Sequence, residues 1–318
     1  MPQPFAQSSS DLSPQSSGDV DSARSSVPAS VGELLASATG PLFSFEFFPP
    51  RSEEDEPVLW AAVEALAPHE PAFVSVTYGA NGSRRDRTVA ATRRIASSGG
   101  PLTVGHLTCV DQSKADIASA LAEYRDAGVT NILAIRGDMP GGGEWRRHPD
   151  GLANATELVR FVKEQGDFCV GVAAFPNPHE TSNDADLDAR ILCDKVEAGA
   201  EFAITQLFYD AERYGELLER MRGRGCTVPI IPGLMPLTVI TQIERFAELS
   251  GRSLPDDFVA RLRAAGSKEE VREIGLAHAV TMCRDLLAAG APGIQFFTQN
   301  RSKATREVLT ALRATHAR

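Results

Sequence analysis

In the run Phe43–Phe48, FSFEFF, a single carboxylate stands among four phenylalanines. Side chains alternate across a strand, so Phe43, Phe45 and Phe47 share one face, and Ser44, Glu46 and Phe48 share the other. If the Phe43/Phe45/Phe47 face packs under helices, Glu46 points to the inside of whatever the sheet encloses. A carboxyl group desolvated beside aromatic rings keeps its proton above the usual carboxylate range and can serve as a general acid. The competing reading is a buried Glu paired with an arginine or lysine. An apolar strand tolerates such a residue poorly, which favours chemistry over structure.

Other polar residues recur within or just beyond short apolar runs. Thr77 follows FVSV; His106 and Thr108 lie in TVGHLTCV; Arg136 and Asp138 follow ILAI. Asn177 and His179, then Gln206 and Asp210, then Gln299, Asn300 and Arg301 end later runs, and another ends in GLMPLT. His106 by itself reads more readily as a satisfied core histidine than as a catalyst. Asp138 reads equally as a ligand-facing carboxylate, as the organiser of the turn before its glycines, or as an ion-pair partner of Arg136. Gln206 is an amide in an apolar run and must find partners, so ligand recognition is favoured if it faces a pore. Arg84, Arg85, Asp86 and Arg87 read as a solvated helix start.

These residues need elements to position them. Eight β-rich runs are present: Phe43–Phe48, Phe73–Tyr78, Thr103–Val110, Ile132–Arg136, Cys169–Phe175, Phe202–Phe208, Pro229–Leu234 and Gly293–Thr298. Segments of helical period separate them. In SKADIASALAEYRDAG, Ser113 and Asp116 suit a capping box and Gly128 a C-terminal stop. Strand–helix alternation implies right-handed crossovers and a parallel sheet, and eight units are the number that closes a barrel. The expected fold is therefore α/β, a single (β/α)8 TIM barrel over residues 41–318, with its active site where the strands end. No strand is followed by a Gly-rich dinucleotide fingerprint of the right spacing. Residues 1–40 are expected to be a disordered Ser/Pro-rich tail, with a short helix at Val31–Ala38 leading into the fold.

Composition narrows the function classes. The chain has 318 residues, is 42% hydrophobic, and carries a net charge of −10 with a pI near 5.2. That balance argues against a general affinity for nucleic acid or anionic membrane. No apolar run approaches the roughly 20 residues needed to span a bilayer, and the N-terminus lacks a secretory pattern. Five cysteines, odd in number and unclustered, read as buried free thiols in a reducing cytoplasm, with no metal site. Self-association into a homo-oligomer is left open.

As runs, these residues resemble the methylenetetrahydrofolate reductase family. The matching segments are SFEFFPPR (44–51), FVSVTYGANGSRRDRT (73–88), HLTCVD (106–111), ILAIRGDMP (132–140), KVEAGAEFAITQLFYD (195–210), IIPGLMP (230–236) and FFTQNR (296–301). The resemblance covers the catalytic barrel, 43–318. It implies a flavoprotein oxidoreductase of one-carbon metabolism, feeding methionine biosynthesis. NADH or NADPH supplies hydride, FAD relays it, and 5,10-methylenetetrahydrofolate is reduced to 5-methyltetrahydrofolate. It puts Glu46 at the acid position and Asp138 near flavin and pterin, where its charge would stabilise an iminium cation. Thr77, Tyr78, Ala80, His106, Arg136, Gly137, Ala155, Phe175, His179, Asp188 and Lys195 fall at cofactor-contact positions. Gln206, Gln242, Phe246 and Arg301 fall at positions that contact folate or nicotinamide.

Departures from the family pattern fall on the flavin side. Phe175 and Asn154 stand where tyrosines are usual, Ile191 where asparagine is, and Asp194 where arginine is. The last change sets a like charge against a phosphate. The expectation is weak or absent FAD binding, with hydride passing directly from the nicotinamide. Alternatives are another flavin-dependent barrel oxidoreductase, such as one acting on proline, or a non-catalytic folate-binding module.

Overall fold

In a computed structural model describing residues 29–78, 83–141, 143–239 and 254–316, short apolar runs alternate with helices around a ring of parallel strands. The strands are β1 (Leu42–Phe47), β2 (Phe73–Val76), β3 (Leu102–Thr108), β4 (Asn131–Ile135), β5 (Cys169–Ala174), β6 (Phe202–Thr205), β7 (Ile230–Ile231), β8 (Gly233–Leu234) and β9 (Gly293–Phe297). The helices are α1 (Val31–Ser37), α2 (Glu56–Leu66), α3 (Ser83–Ala96), α4 (Lys114–Asp126), α5 (Ala155–Glu164), α6 (Ala185–Glu197), α7 (Ala211–Gly223), α8 (Asp256–Ala264), α9 (Lys268–Ala288) and α10 (Ser302–His316). Strand order is β7-β6-β5-β4-β3-β2-β1-β9-β8, all pairs parallel.

The seventh and eighth strands of this count hide an eightfold ring. β7 pairs with β6, β8 pairs with β9, and only Pro232 separates β7 from β8. They are one barrel strand interrupted where proline has no N–H to give a ladder. Two bonds bridge the notch: Gly233 N donates to Thr205 Oγ1 at 2.9 Å, and Gln295 N donates to the Pro232 carbonyl at 2.9 Å.

The alternation expected for β1 holds. Phe45 and Phe47 are buried with Leu59 and Leu66 of α2 in the core between strands and helices. Inside the ring, Phe73, Val104, Leu133, Phe202, Ile204 and Ile231 form the lower plug, and Val31 of α1 packs onto it. Val31 N donates to Asn131 Oδ1 at 2.8 Å, so α1 is tied to the foot of β4. The stretch that composition assigned to the tail thus contains a helix packed against the barrel, from Val31 to Ser37; residues 1–28 lie outside the described residues.

Local signals read as expected in α4. Ser113 and Asp116 form the reciprocal capping box, and Gly128 takes φ +74°. α3 begins at Ser83, in the charged Arg84–Arg87 stretch. Seven of the eight expected runs end earlier in the structure: β1 at Phe47, β2 at Val76, β3 at Thr108, β4 at Ile135, β5 at Ala174, β6 at Thr205 and β9 at Phe297. Gln206 N still donates to the Ala174 carbonyl at 2.8 Å, while its side chain turns its own Oε1 onto Leu207 N at 2.8 Å. All five cysteines are free; Cys109, Cys169 and Cys283 are buried as expected, but Cys193 and Cys226 are only half-buried. Among the described residues, no helix is long and apolar enough to cross a membrane.

Candidate functional site

The polar interior begins above the apolar plug. Ser44 Oγ donates to Gln295 Oε1, and Gln295 Nε2 donates to Ser75 Oγ at 2.8 Å. This chain links β1, β9 and β2 under the next inward position, where Glu46 stands in register with Ser75 and Phe297. Its side chain is 12% exposed, and burial pushes the carboxyl up to about 8. His106 of β3, its side chain 6% exposed, faces it: Nε2 lies 3.6 Å from Glu46 Oε2 and has no hydrogen-bond partner among the described residues. Burial pulls His106 down to about 3. At neutral pH the pair is therefore a protonated acid beside an uncharged imidazole. Among the described residues no arginine or lysine pairs with Glu46, as the competing reading required; the partner is His106.

Close packing holds His106 in place. Tyr124 of α4 donates its hydroxyl to the His106 carbonyl at 2.9 Å. Its ring lies flat against β3 at Gly105, where an added Cβ would come within 2.6 Å of the ring. Nearby, Thr77 N donates to the Phe47 carbonyl at 3.0 Å, and Tyr78 donates its hydroxyl to Gln112 Oε1 at 3.1 Å. Gln112 Nε2 in turn donates to the Thr108 carbonyl at 2.7 Å.

A second group gathers where β4 and β5 end. Arg136 lies 5.7 Å from the Trp145 ring and 3.9 Å from Asp138, whose side chain is 93% exposed. Gly137 takes φ +81° and presses against Val110 and Thr108, leaving no room for a side chain. His179 is edge-on to Phe175 at 4.7 Å, and its Nδ1 accepts from Thr181 N at 3.1 Å. Burial and Arg136 hold its ring below the usual range. Lys195, 6% exposed, donates Nζ to the Ala173 carbonyl at 2.9 Å and lies 5.7 Å from the Phe175 ring. Burial first, then Arg136, lowers it to about 8, against an opposing pull from Asp188.

The resemblance implies FAD here, and its parts can be tested one at a time. Thr77, Arg136 and Gly137 are half-buried just past the ends of β2 and β4. The diphosphate is not matched. Asp188 Oδ2 accepts the His179 N–H at 2.6 Å and Oδ1 accepts Ser182 Oγ at 2.8 Å, so it braces the loop. Ile191, 37% exposed, and the exposed Asp194 offer a phosphate nothing to bind. At α5, Asn154 Oδ1 already accepts Glu157 N at 3.0 Å, Glu157 Oε2 accepts Ala153 N at 2.8 Å, and Ala155 is buried. That helix start is closed on itself. The residues present do not fit a tightly held dinucleotide.

Gln206 and Arg301 are exposed at the ends of β6 and β9, while Asp210 caps α7 through Glu212 N rather than facing a ligand. Asn300 clamps Phe48, accepting its N–H and donating to its carbonyl, both at 2.9 Å. Ala80, Gln242 and Phe246 lie outside the described residues. Gln295 and Ser75 escaped the sequence reading. Like Gln206, Gln295 in GIQFF is an amide inside an apolar run that must find partners.

Known proteins resemble this chain throughout the barrel. A family model for methylenetetrahydrofolate reductase matches residues 32–313. The 5,10-methylenetetrahydrofolate reductase of Pectobacterium carotovorum subsp. carotovorum is 36% identical over 261 residues, 82% of this chain and 86% of that one. The enzyme of the same name from Escherichia coli (strain K12) is 36% identical over 276 residues, 86% and 91% of the two chains. Among solved structures, an uncharacterized protein from Clostridium thermocellum that binds two copies of 5-methyl-5,6,7,8-tetrahydrofolic acid superposes with a TM-score of 0.62. It shares 14% identity and covers 89% of this chain and 97% of its own, a likeness of fold.

Proposed function

Because the chain belongs to the methylenetetrahydrofolate reductase family, we propose that it reduces 5,10-methylenetetrahydrofolate to 5-methyltetrahydrofolate with hydride taken directly from NAD(P)H. The observation that carries the mechanism is the burial of the Glu46 carboxyl inside the ring. The bridging carbon of the substrate is bonded to two nitrogens, and one of these C–N bonds must break. Glu46, whose carboxyl burial pushes up to about 8, gives its proton to the leaving nitrogen, and the carbon becomes an iminium cation. Hydride from the nicotinamide then lands on that carbon. The products are 5-methyltetrahydrofolate and NAD(P)+, with Glu46 left as a carboxylate that regains its proton from solvent.

The rim residues divide the remaining work. Asp138, exposed and negative, faces the mouth, where its charge favours the iminium. Gln206 and Arg301, exposed at the ends of β6 and β9, offer polar groups to the folate. The mismatch at Ile191 and Asp194 argues for a reductant that visits and departs, because a resident dinucleotide needs far more binding free energy than a substrate exchanged each turnover.

The test is a visible absorption spectrum of protein purified without added FAD, followed by NADH oxidation with 5,10-methylenetetrahydrofolate, with and without FAD. A colourless protein that turns over without FAD is expected. Flavin bands at a stoichiometry near one would overturn the direct transfer, and absence of folate-dependent oxidation would overturn the activity.

A further inference from the structure

Buried ring nitrogens almost always have a hydrogen-bond partner. His106 Nε2 has none, and what it faces is the carboxyl of Glu46. The separation of 3.6 Å is too long for a hydrogen bond to the protonated acid, yet short enough for a small side-chain rotation to close. The backbone behind the ring is fixed by the Tyr124 hydroxyl and by pairing of His106 with Leu133 of β4. The neighbours on β2 and β9 are the uncharged Ser75, Gln295 and Phe297, and Gln295 and Ser75 already bond each other. Arg136 and Asp138, at the end of β4, contribute to the ionisation of neither group; burial alone shifts both.

We propose that His106 is a positioning residue for the acid step, its Nε2–H kept in reserve for Glu46 and closing onto the carboxylate as the proton leaves for the folate. This rests on the reading of Glu46 as the acid. The proton travels from Glu46 to the leaving nitrogen. His106 keeps its own proton and stays uncharged, and the negative charge left on Glu46 gains a charge-assisted hydrogen bond. Such a bond is absent before transfer and present after it, so it lowers the barrier without tightening substrate binding. A permanent bond in the resting protein would stabilise both states alike and do less.

The experiment is the pH dependence of kcat for wild type, His106→Gln, His106→Leu and Glu46→Gln. In wild type kcat falls as pH rises and Glu46 loses its proton. His106→Leu removes the donor, which disfavours the carboxylate. Its limb should therefore move up by about one pH unit or more, and its plateau kcat should fall roughly tenfold to a hundredfold with KM little changed. His106→Gln keeps an N–H of similar reach and should recover most of both. If His106→Leu does not fold, His106→Met supplies the same comparison. A limb that stays in place without the donor, or a glutamine variant no better than the leucine one, would overturn the proposal. Turnover by Glu46→Gln at the wild-type rate would instead overturn the acid assignment beneath it.

Discussion

Lys195 donates its Nζ to the carbonyl of Ala173 at 2.9 Å, so a cation that could serve a ligand is fastened to the end of β5. The bond joins α6 to the barrel just below the group formed by Phe175, His179 and Asp188. What remains outward on that face of α6 is an isoleucine and an aspartate.

Replacing those two should change what the rim holds. Ile191→Asn with Asp194→Arg supplies a hydrogen-bonding amide and a phosphate-binding fork where neither now exists. FAD affinity should rise at least about tenfold, the effect of roughly 1.4 kcal/mol. Titration followed by flavin fluorescence measures it. An unchanged affinity would mean that the diphosphate does not lie over α6.

Lys195 also makes stability depend on pH. Its folded value, about 8, lies below the ordinary 10.5, so the unfolded chain binds the proton more tightly. Stability from this group is lowest below pH 8 and recovers as pH rises towards 10.5. Relative to Lys195→Met, wild type should gain roughly 1–3 kcal/mol over that window. Urea unfolding of both proteins at pH 7–10 isolates the difference from the titrating thiols and phenols.

Glu46 should show the opposite sign. Its folded value, about 8, lies above the ordinary 4.5, so its contribution is fully present below pH 4.5 and is lost as pH rises through 8. Glu46→Gln carries no such penalty. The variant should match wild type near pH 4.5 and exceed it by roughly 2–4 kcal/mol at pH 8, while kcat falls about a hundredfold to ten-thousandfold. A more stable, inactive protein is the expected outcome, read from thermal midpoints beside the assay.

Gly105→Ala places a methyl within 2.6 Å of the Tyr124 ring. The ring must shift, taking its bond to the His106 carbonyl with it. A loss of about 1–3 kcal/mol is expected, together with a lower kcat because His106 moves relative to Glu46. Preserved kcat in a destabilised variant would show that the ring yields without disturbing β3.

Asn154→Ala tests the helix start from the other side. The side chain caps α5 through Glu157 N, so its loss should cost about 1 kcal/mol in urea unfolding. Turnover should not change, because the amide is committed to the helix and not to a ligand.

Much of this was legible in the chain, for physical reasons that differ by residue. Glu46 could be aimed inward because strand alternation is a local rule, and the eight runs stood out because buried parallel strands are short and apolar. The Ser113–Asp116 box was readable because both partners lie within one turn. The Glu46–His106 contact was not, because it depends on the stagger between strands 60 positions apart. Nor could the sequence say that Asp188 would bind the His179 N–H, or Lys195 a carbonyl, since both side chains look equally available to a ligand until the loop closes. The helix at Val31–Ser37 was visible as a short run, but its attachment to Asn131 was not.

The interruption at Pro232 bears on how the ring comes apart. A closed barrel has no free edge, and its ladders protect one another all the way round. Here the interrupted strand is held at the notch by a threonine hydroxyl on the Gly233 amide, a side-chain clasp beside the backbone bond from Gln295 N to the Pro232 carbonyl. Side chains rotate far more readily than strands separate, so the clasp is the natural first place for the barrel to breathe. The Gly233 amide should exchange with solvent deuterium ahead of the strand amides of β2 to β5, and Thr205→Val should quicken it further. Opening there would spread the mouth between Gln206 and Arg301, beside β9 and hence next to Glu46 on β1.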